Sequence, residues 1–248
     1  MAEDAAIPAA TLIVVRDGPP AEPPALLIVQ RATGMAFAGG ALVFPGGRID
    51  EQDRAMADAS ADGAARIAAI RETIEETAIP VGLEPLPTPE LALKLQEQLR
   101  TGDPFATVLE SLGLSVDTGV MTPLARWVPA FHATRRFDTM FFLARAPNGG
   151  WVPNAAEGEC AGAFWMSAAE VLESDRRGEA KLIFPTRRTL ERLALHRSFD
   201  AMVADARAFP IAPITPWLEE DGGERFIAIP ENIGFPVTRE KLDGLWRG

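Results

Sequence analysis

The stretch DGAARIAAIRETIEETAI, Asp62 to Ile79, constrains the fold more tightly than any other part of this chain. Its period is helical. Ile67, Ile70 and Ile74 recur on one stripe, which needs an apolar layer to cover it. Glu72, Glu75 and Glu76 are spaced three and four apart, so three carboxylates share one broad flank of the same helix. Arg71 stands four residues before Glu75 and is placed to hold its carboxylate. Alone, the charged flank also fits a solvated face, stabilised by pairs worth about 0.2–0.5 kcal/mol each.

Two apolar segments precede this helix. ATLIVVRD reads as a strand and PPALLIVQRA as its partner, with GPPAEPP as the turn-rich connection. GGALVFPGG is a third short apolar segment bracketed by glycines. Gly46 and Gly47 follow Pro45 directly, where the backbone turns sharply or approaches something closely. An ordinary glycine turn satisfies the same pattern. A backbone carbonyl exposed there, beside clustered carboxylates, supplies the hard oxygen ligands that Mg²⁺ or Mn²⁺ prefers.

After the helix, Pro80 and Gly82 are the stop signals. PTPELALKLQEQLR and DPFATVLESLGLS read as two further helices, and LARWVPAF and FDTMFFLARAP as strands. NGG makes a turn, GAFWMS is a strand, and AAEVLES a short helix. PTRRTLERLALHRSFDAMVADARA is helical in pattern. The Pro-rich tail allows short strands without a clean period. No repeat, low-complexity linker or composition break divides the 248 residues, so the expectation is one domain with decorations.

Composition excludes several classes. A single cysteine, Cys160, rules out an internal disulfide framework and Cys-based metal clusters, which suits a reducing cytoplasm. A net charge of −11 opposes general nucleic-acid binding. The excess acid is compatible with phosphorylated substrates if some carboxylates hold divalent cations. No apolar run approaches a membrane span, and MAEDAAIPAA lacks the basic start of a signal peptide. The nucleophile-elbow, phosphate-loop and zinc-helix motifs are missing from the sequence. Of the two histidines, His196 reads as a surface or packing residue and His132 as a substrate-contact candidate. Arg135 and Arg136 are candidates for gripping phosphate, and also fit a plain surface pair.

Taken together, GGRIDEQD and RETIEETAI resemble the Nudix box. By that resemblance Gly47 opens the box, Asp53 takes the first acidic position, and Arg71, Glu72, Glu75 and Glu76 match its core. Three departures stand out. The spacer between Asp53 and Arg71 is longer than the family pattern, Thr73 replaces an apolar residue, and Ala78 replaces a late glycine. The spacer RAMADASADGAA reads as a loop-out before the helix. Glu159 stands six residues before Trp165, a spacing at which family members place a further acid, with Glu157 as its neighbour and understudy. Upstream, LIVQRATGMAFAGGALVFPGG resembles the segment before the box in coenzyme A diphosphatases. Leu27, Arg31, Gly40 and FPGG match, whereas Ala32 and Ala36 replace a Ser and an Arg. The stretched box and helical insertion are most similar to the Nudix-19 and coenzyme A diphosphatase-like branch, over about residues 10–190.

The resemblance implies an α/β protein, a Nudix-type α/β/α sandwich with a mixed β-sheet between helices. It carries a helical insertion at about 86–116 and a C-terminal extension at about 190–248. It further implies a metal-dependent hydrolase of nucleoside diphosphates joined to another moiety, with coenzyme A or an acyl-coenzyme A first in order. ADP-ribose, a dinucleotide, or a non-catalytic nucleotide-sensing module are the alternatives. The expected metal ligands are the Gly47 carbonyl, Glu72, Glu75, Glu76 and Glu159, for Mg²⁺ or Mn²⁺. Glu72 or Glu159 is the expected base, Arg71 the residue that orients carboxylates, and Arg31, Arg135 and Arg136 the substrate contacts. The expected partner is a small nucleotide-type molecule in the cytoplasm, with neither nucleic acid nor membrane, and a homodimer is left open.

Overall fold

A computed structural model describes residues 6–19, 22–34, 38–128 and 136–242. In chain order the first elements are strands β1 (Ile7–Arg16), β2 (Ala25–Arg31), β3 (Leu42–Val43) and β4 (Gly46–Arg48), then helices α1 (Glu51–Met56) and α2 (Gly63–Thr77). Next come β5 (Leu83–Glu84), α3 (Pro89–Arg100), α4 (Phe105–Leu112), β6 (Ser115–Val116), β7 (Thr122–Trp127), β8 (Phe137–Arg145) and β9 (Cys160–Ser167). The chain continues through α5 (Ala168–Arg176), α6 (Phe184–Leu193), α7 (Phe199–Arg207) and strands β10 (Pro213–Ile214), β11 (Trp217–Asp221), β12 (Glu224–Ala228) and β13 (Arg239–Lys241).

The main sheet is mixed. β1 runs parallel to β8 and antiparallel to β2, β7 is antiparallel to β8, and β10 adds a parallel edge on β7. β9 pairs antiparallel with β2 from Ala25↔Ser167 to Arg31↔Cys160. Alternation along β1 divides the core. Ala10, Leu12 and Val14 face one layer with Ile67, Ile70 and Ile74 of α2, while Ile13 and Val15 face another with Leu190, Leu193 and Met202. Helices therefore cover both sheet faces, the expected sandwich. The isoleucine stripe finds its apolar layer on the first face. Ile214, Ile229 and Phe235, from the C-terminal stretch, join the core of the second.

β1 and β2 pair only at Val15↔Leu26 and Arg16↔Ala25, and then part. Residues 42–48 run into the gap between them. β3 pairs with β2 at Val29↔Val43, and β4 pairs with β1 at Ala10↔Gly47 and Thr11↔Gly46. The Leu12 N–H donates to the Pro45 carbonyl at 3.0 Å. This inserted segment explains the first glycine. Gly46 has φ +156°, and a Cβ there would collide with the Ala10 carbonyl and stand 2.8 Å from Thr11 Cα.

Several boundaries depart from the sequence pattern. The spacer does not loop out whole: its first residues continue α1 to Met56, opened by a capping box between Asp50 and Asp53. Residues 57–62 connect α1 to α2. α2 ends at Thr77, ahead of Pro80, because Ala78 takes the left-handed conformation at φ 57° and its N–H closes on the Ile74 carbonyl. The family's late glycine falls at this position, and alanine occupies it here with some strain. Thr73 is tolerated at a buried position because its hydroxyl donates to the Ala69 carbonyl at 2.7 Å. The single helical pattern after residue 184 is two helices, since the Ser198 hydroxyl accepts from the Ala201 N–H and starts α7 afresh. Among the described residues no helix is long and apolar enough to cross a membrane.

Gly46→Ala should destabilise the fold by roughly 3 kcal/mol or more, because the intruding carbonyl and Cα are backbone and cannot swing aside. Gly102→Ala is the control. Its φ is +92° with nothing within 4 Å, so its cost is about 1 kcal/mol of backbone strain alone. Urea midpoints of the two variants test the difference, and equal losses would contradict the close-approach explanation.

Candidate active site

Arg71 is the hub of the acidic cluster. Its side chain is 4% exposed, and all five N–H donors find acceptors. Nε donates to Asp53 Oδ1 at 2.8 Å, and Nη2 to Asp53 Oδ2 at 2.9 Å and to the Arg48 carbonyl at 3.1 Å. Nη1 donates to Glu72 Oε1 at 2.9 Å and Glu75 Oε2 at 3.2 Å. Burial works against the guanidinium charge, but the Asp53 hydrogen bonds and the Glu72, Asp53 and Glu75 charges outweigh it and raise its pKa.

Asp53 is fully buried, and both its oxygens are engaged. Oδ1 accepts from Arg71, and Oδ2 accepts from Arg71 and from the Asp50 N–H at 2.8 Å. The first acid of the motif is therefore turned to the arginine and the α1 cap. Neither the spacing nor the motif signals this role, because the long spacer hides how close α1 and α2 lie.

Gly47 faces the carboxylates. A Cβ on it would meet the whole Glu72 carboxyl group, with Oε2 at 2.6 Å. Only glycine allows the β4 backbone and α2 to approach this closely. Glu76 is buried, and its Oε2 accepts from the Gly46 N–H at 3.1 Å. Burial, then the Arg71-opposed repulsion of Glu75 and Asp53, pushes Glu72 up to about 7. Burial likewise raises Glu75, against the pull of Arg71. It raises Glu76 well above the usual carboxylate range, with Glu72 adding to the effect.

Glu159 is exposed, in the segment that leads into β9, and its charge adds to the upward push on Glu75, Glu76 and Cys160. The Cys160 thiol is driven up to about 12, chiefly by burial. Arg31, at the end of β2, pulls Glu76 and Cys160 the other way. Glu157 is exposed, and its carbonyl accepts from Arg100 Nη2 at 3.0 Å. Arg136 immediately precedes β8, across β1 from β4 and at the same end of the sheet, where its carbonyl accepts from the Ile7 N–H. Arg135, His132 and Ala36 lie outside the described residues. His196 sits 3.5 Å from Asp205 on the other helical layer.

The structure thus gathers Gly47, Arg71, Glu72, Glu75 and Glu76, with Glu159 and Arg31 in electrostatic reach. Among the described residues no three His, Cys, Asp or Glu side chains close into a metal cage. Glu72 and Glu75 are turned to Arg71, and Glu76 to Gly46. The donor chemistry nonetheless fits a hard divalent cation: carboxylates outnumber the guanidinium groups that face them, in a buried setting that penalises their charge.

Comparisons with known proteins place the chain in a family. A family model described as NUDIX domain matches residues 6–185. A Nudix hydrolase from Alicyclobacillus acidocaldarius is 30% identical with a TM-score of 0.74, over 82% of this chain and 97% of that one. The Nudix domain of Shewanella oneidensis NrtR, solved with ADP ribose, is 16% identical with a TM-score of 0.47, over 77% and 87%. A Caenorhabditis elegans Ap4A hydrolase is 16% identical with a TM-score of 0.43, over 80% and 98%.

The raised carboxylates give a pH signature in chelator. Glu72 binds its proton more tightly folded than unfolded, so between its unfolded pKa near 4.5 and its folded value of about 7 the native state holds the extra proton. Stability contributed in this way falls as pH rises through that window. Between pH 5 and pH 8, wild type should lose on the order of 2 kcal/mol relative to Glu72→Gln. Urea melts in EDTA measure this, and parallel profiles for the two proteins would contradict it.

Proposed function

We propose a substrate class and residue roles from one premise: the chain belongs to the Nudix family and is a hydrolase of phosphorus-containing anhydrides. The substrate is a nucleoside diphosphate joined to another moiety, with coenzyme A or an acyl-coenzyme A first. The observation that carries the reading is the excess of buried carboxylate beside Gly47, where a hydrogen in place of Cβ lets strand backbone touch the Glu72 carboxyl. Such a site is short of positive charge, and a divalent metal is the family's means of supplying it.

The Gly47 carbonyl, Glu72, Glu75, Glu76 and Glu159 would hold Mg²⁺ or Mn²⁺. When bound, that ion neutralises diphosphate charge and acidifies water. The protein's own groups do the rest. Arg71 fixes Glu72 and Glu75 in orientation through its hydrogen bonds. Glu72 or Glu159 takes the proton of the attacking water. As water attacks one phosphorus of the anhydride, the bridging P–O bond breaks and two phosphomonoesters leave. For coenzyme A these are 3′,5′-ADP and a 4′-phosphopantetheine product. Arg31 and Arg136, with Arg135, are the proposed grips on substrate phosphate.

The coenzyme A assignment rests on Arg31, Gly40 and the FPGG stretch, all at the spacing of the resembled segment. The joint core formed with Ile214, Ile229 and Phe235 supports treating residues 1–248 as a single domain.

Activity should require Mg²⁺ or Mn²⁺, and Glu76→Gln should lower turnover about a hundredfold or more with the fold intact. Undiminished turnover in excess chelator would sink the metal reading. A panel of coenzyme A, acyl-coenzyme A, ADP-ribose, NADH and dinucleotides, read by mass spectrometry, tests the substrate. Brisk ADP-ribose cleavage without any coenzyme A cleavage would overturn that choice.

A further inference from the structure

Gln96 is 2% exposed on α3, a helix whose outer side is solvated, and a buried glutamine needs partners for both ends of its amide. It has them. Nε2 donates to the Glu75 carbonyl at 3.0 Å and to the Asn154 carbonyl at 2.8 Å, and Oε1 accepts from Asn154 Nδ2 at 2.7 Å. The amide orientation is fixed by chemistry, since two carbonyls can only be met by the nitrogen. One helical turn on, Arg100 donates to the Glu157 carbonyl. The same face of α3 therefore grips the segment before β9 at two points.

That segment grips α2 in turn. The Ala156 N–H donates to the Glu76 carbonyl at 3.1 Å, and the Asn154 N–H to the Thr77 carbonyl at 2.8 Å. Three consecutive terminal carbonyls of α2, those of Glu75, Glu76 and Thr77, are thus satisfied from outside the helix. Helix C-termini leave such carbonyls orphaned and carry partial negative charge. Here that end also bears Glu75 and Glu76, whose carboxylates repel it. The external donors hold the last turn helical where its own electrostatics would loosen it. Three residues beyond Ala156 the same segment presents Glu159.

We infer that Gln96 is a positioning residue of the acidic site: its amide joins the carboxylate-bearing end of α2 to the 154–159 segment and so sets Glu159 against Glu75 and Glu76. This rests on the proposed reading of those glutamates as a metal site. Gln96 touches none of the carboxylates and acts through the Glu75 and Asn154 carbonyls and the Asn154 side chain.

The experiment compares wild type, Gln96→Leu and Asn154→Ala by Mn²⁺ titration and by amide hydrogen exchange. Asn154 is exposed, so its variant keeps the test open if Gln96→Leu fails to fold. Leu93→Ala, exposed on α3, is the neutral control, and Leu109→Ala, in the core at α4, is a control for general loss of stability. Gln96→Leu should weaken Mn²⁺ binding about tenfold, as loss of a supporting hydrogen bond does at metal sites, and Asn154→Ala by a smaller factor. Exchange at the Asn154 and Ala156 amides should quicken about tenfold in both variants, while the first turns of α2 keep their protection. Leu109→Ala should lower the melting temperature without changing Mn²⁺ affinity well below it. Unchanged exchange at Asn154 and Ala156 would overturn the inference, and so would quickened exchange with wild-type Mn²⁺ affinity. If wild type itself binds no Mn²⁺, the proposed function falls, while the exchange data still decide whether Gln96 ties the segment to α2.

Discussion

Arg71 is the interaction on which the local structure turns. Its guanidinium joins α1 through Asp53, β4 through the Arg48 carbonyl, and α2 through Glu72 and Glu75. A buried ion pair gains little net stability, because desolvation offsets attraction, but removing one partner commonly costs about 3–5 kcal/mol. What the arrangement secures is geometry. A planar fork with five fixed donors allows one arrangement of its acceptors, so the carboxylates are held against their mutual repulsion. One positive charge does not balance the cluster: burial first, and neighbouring carboxylates after it, raise Glu72, Glu75 and Glu76.

The parting of β1 and β2 supplies the other half of the site. The 42–48 segment enters the gap as strand, and its glycines bring bare backbone up to the α2 glutamates. Gly46 donates its N–H to Glu76, and Gly47 leaves no room for a side chain beside Glu72. Sheet, helix and glycine edge then form one construction: the isoleucine stripe of α2 sits on the sheet, and that seating determines where its carboxylates stand. At the far end of α2, donors from Asn154, Ala156 and Gln96 complete the last turn.

Much of this was legible in the sequence because it rests on local periodicity. The stripe of Ile67, Ile70 and Ile74, the apolar run of β1 and the Gly46–Gly47 pair each state their physical requirement within a few residues. The role of Asp53 was not legible, since it depends on α1 folding back on α2 across a spacer whose length says nothing about its path. Gln96 reads in sequence as one more polar residue on an amphipathic helix, and only its burial against α2 distinguishes it. The break between α6 and α7 was hidden because the residues around Ser198 continue a helical composition. Ala78 gave no sign that it would adopt a left-handed conformation.

In the proposed function, the carboxylates gathered by Arg71 beside Gly47 form a divalent-cation site. A crystal grown with Mn²⁺ and measured at the manganese edge tests it most directly. The expected result is anomalous density bounded by the Gly47 carbonyl and the Glu72, Glu75 and Glu76 side chains, with Arg71 still joined to Asp53. Anomalous density elsewhere in the molecule, or none at saturating Mn²⁺ with Glu72 and Glu75 still turned to Arg71, would contradict it.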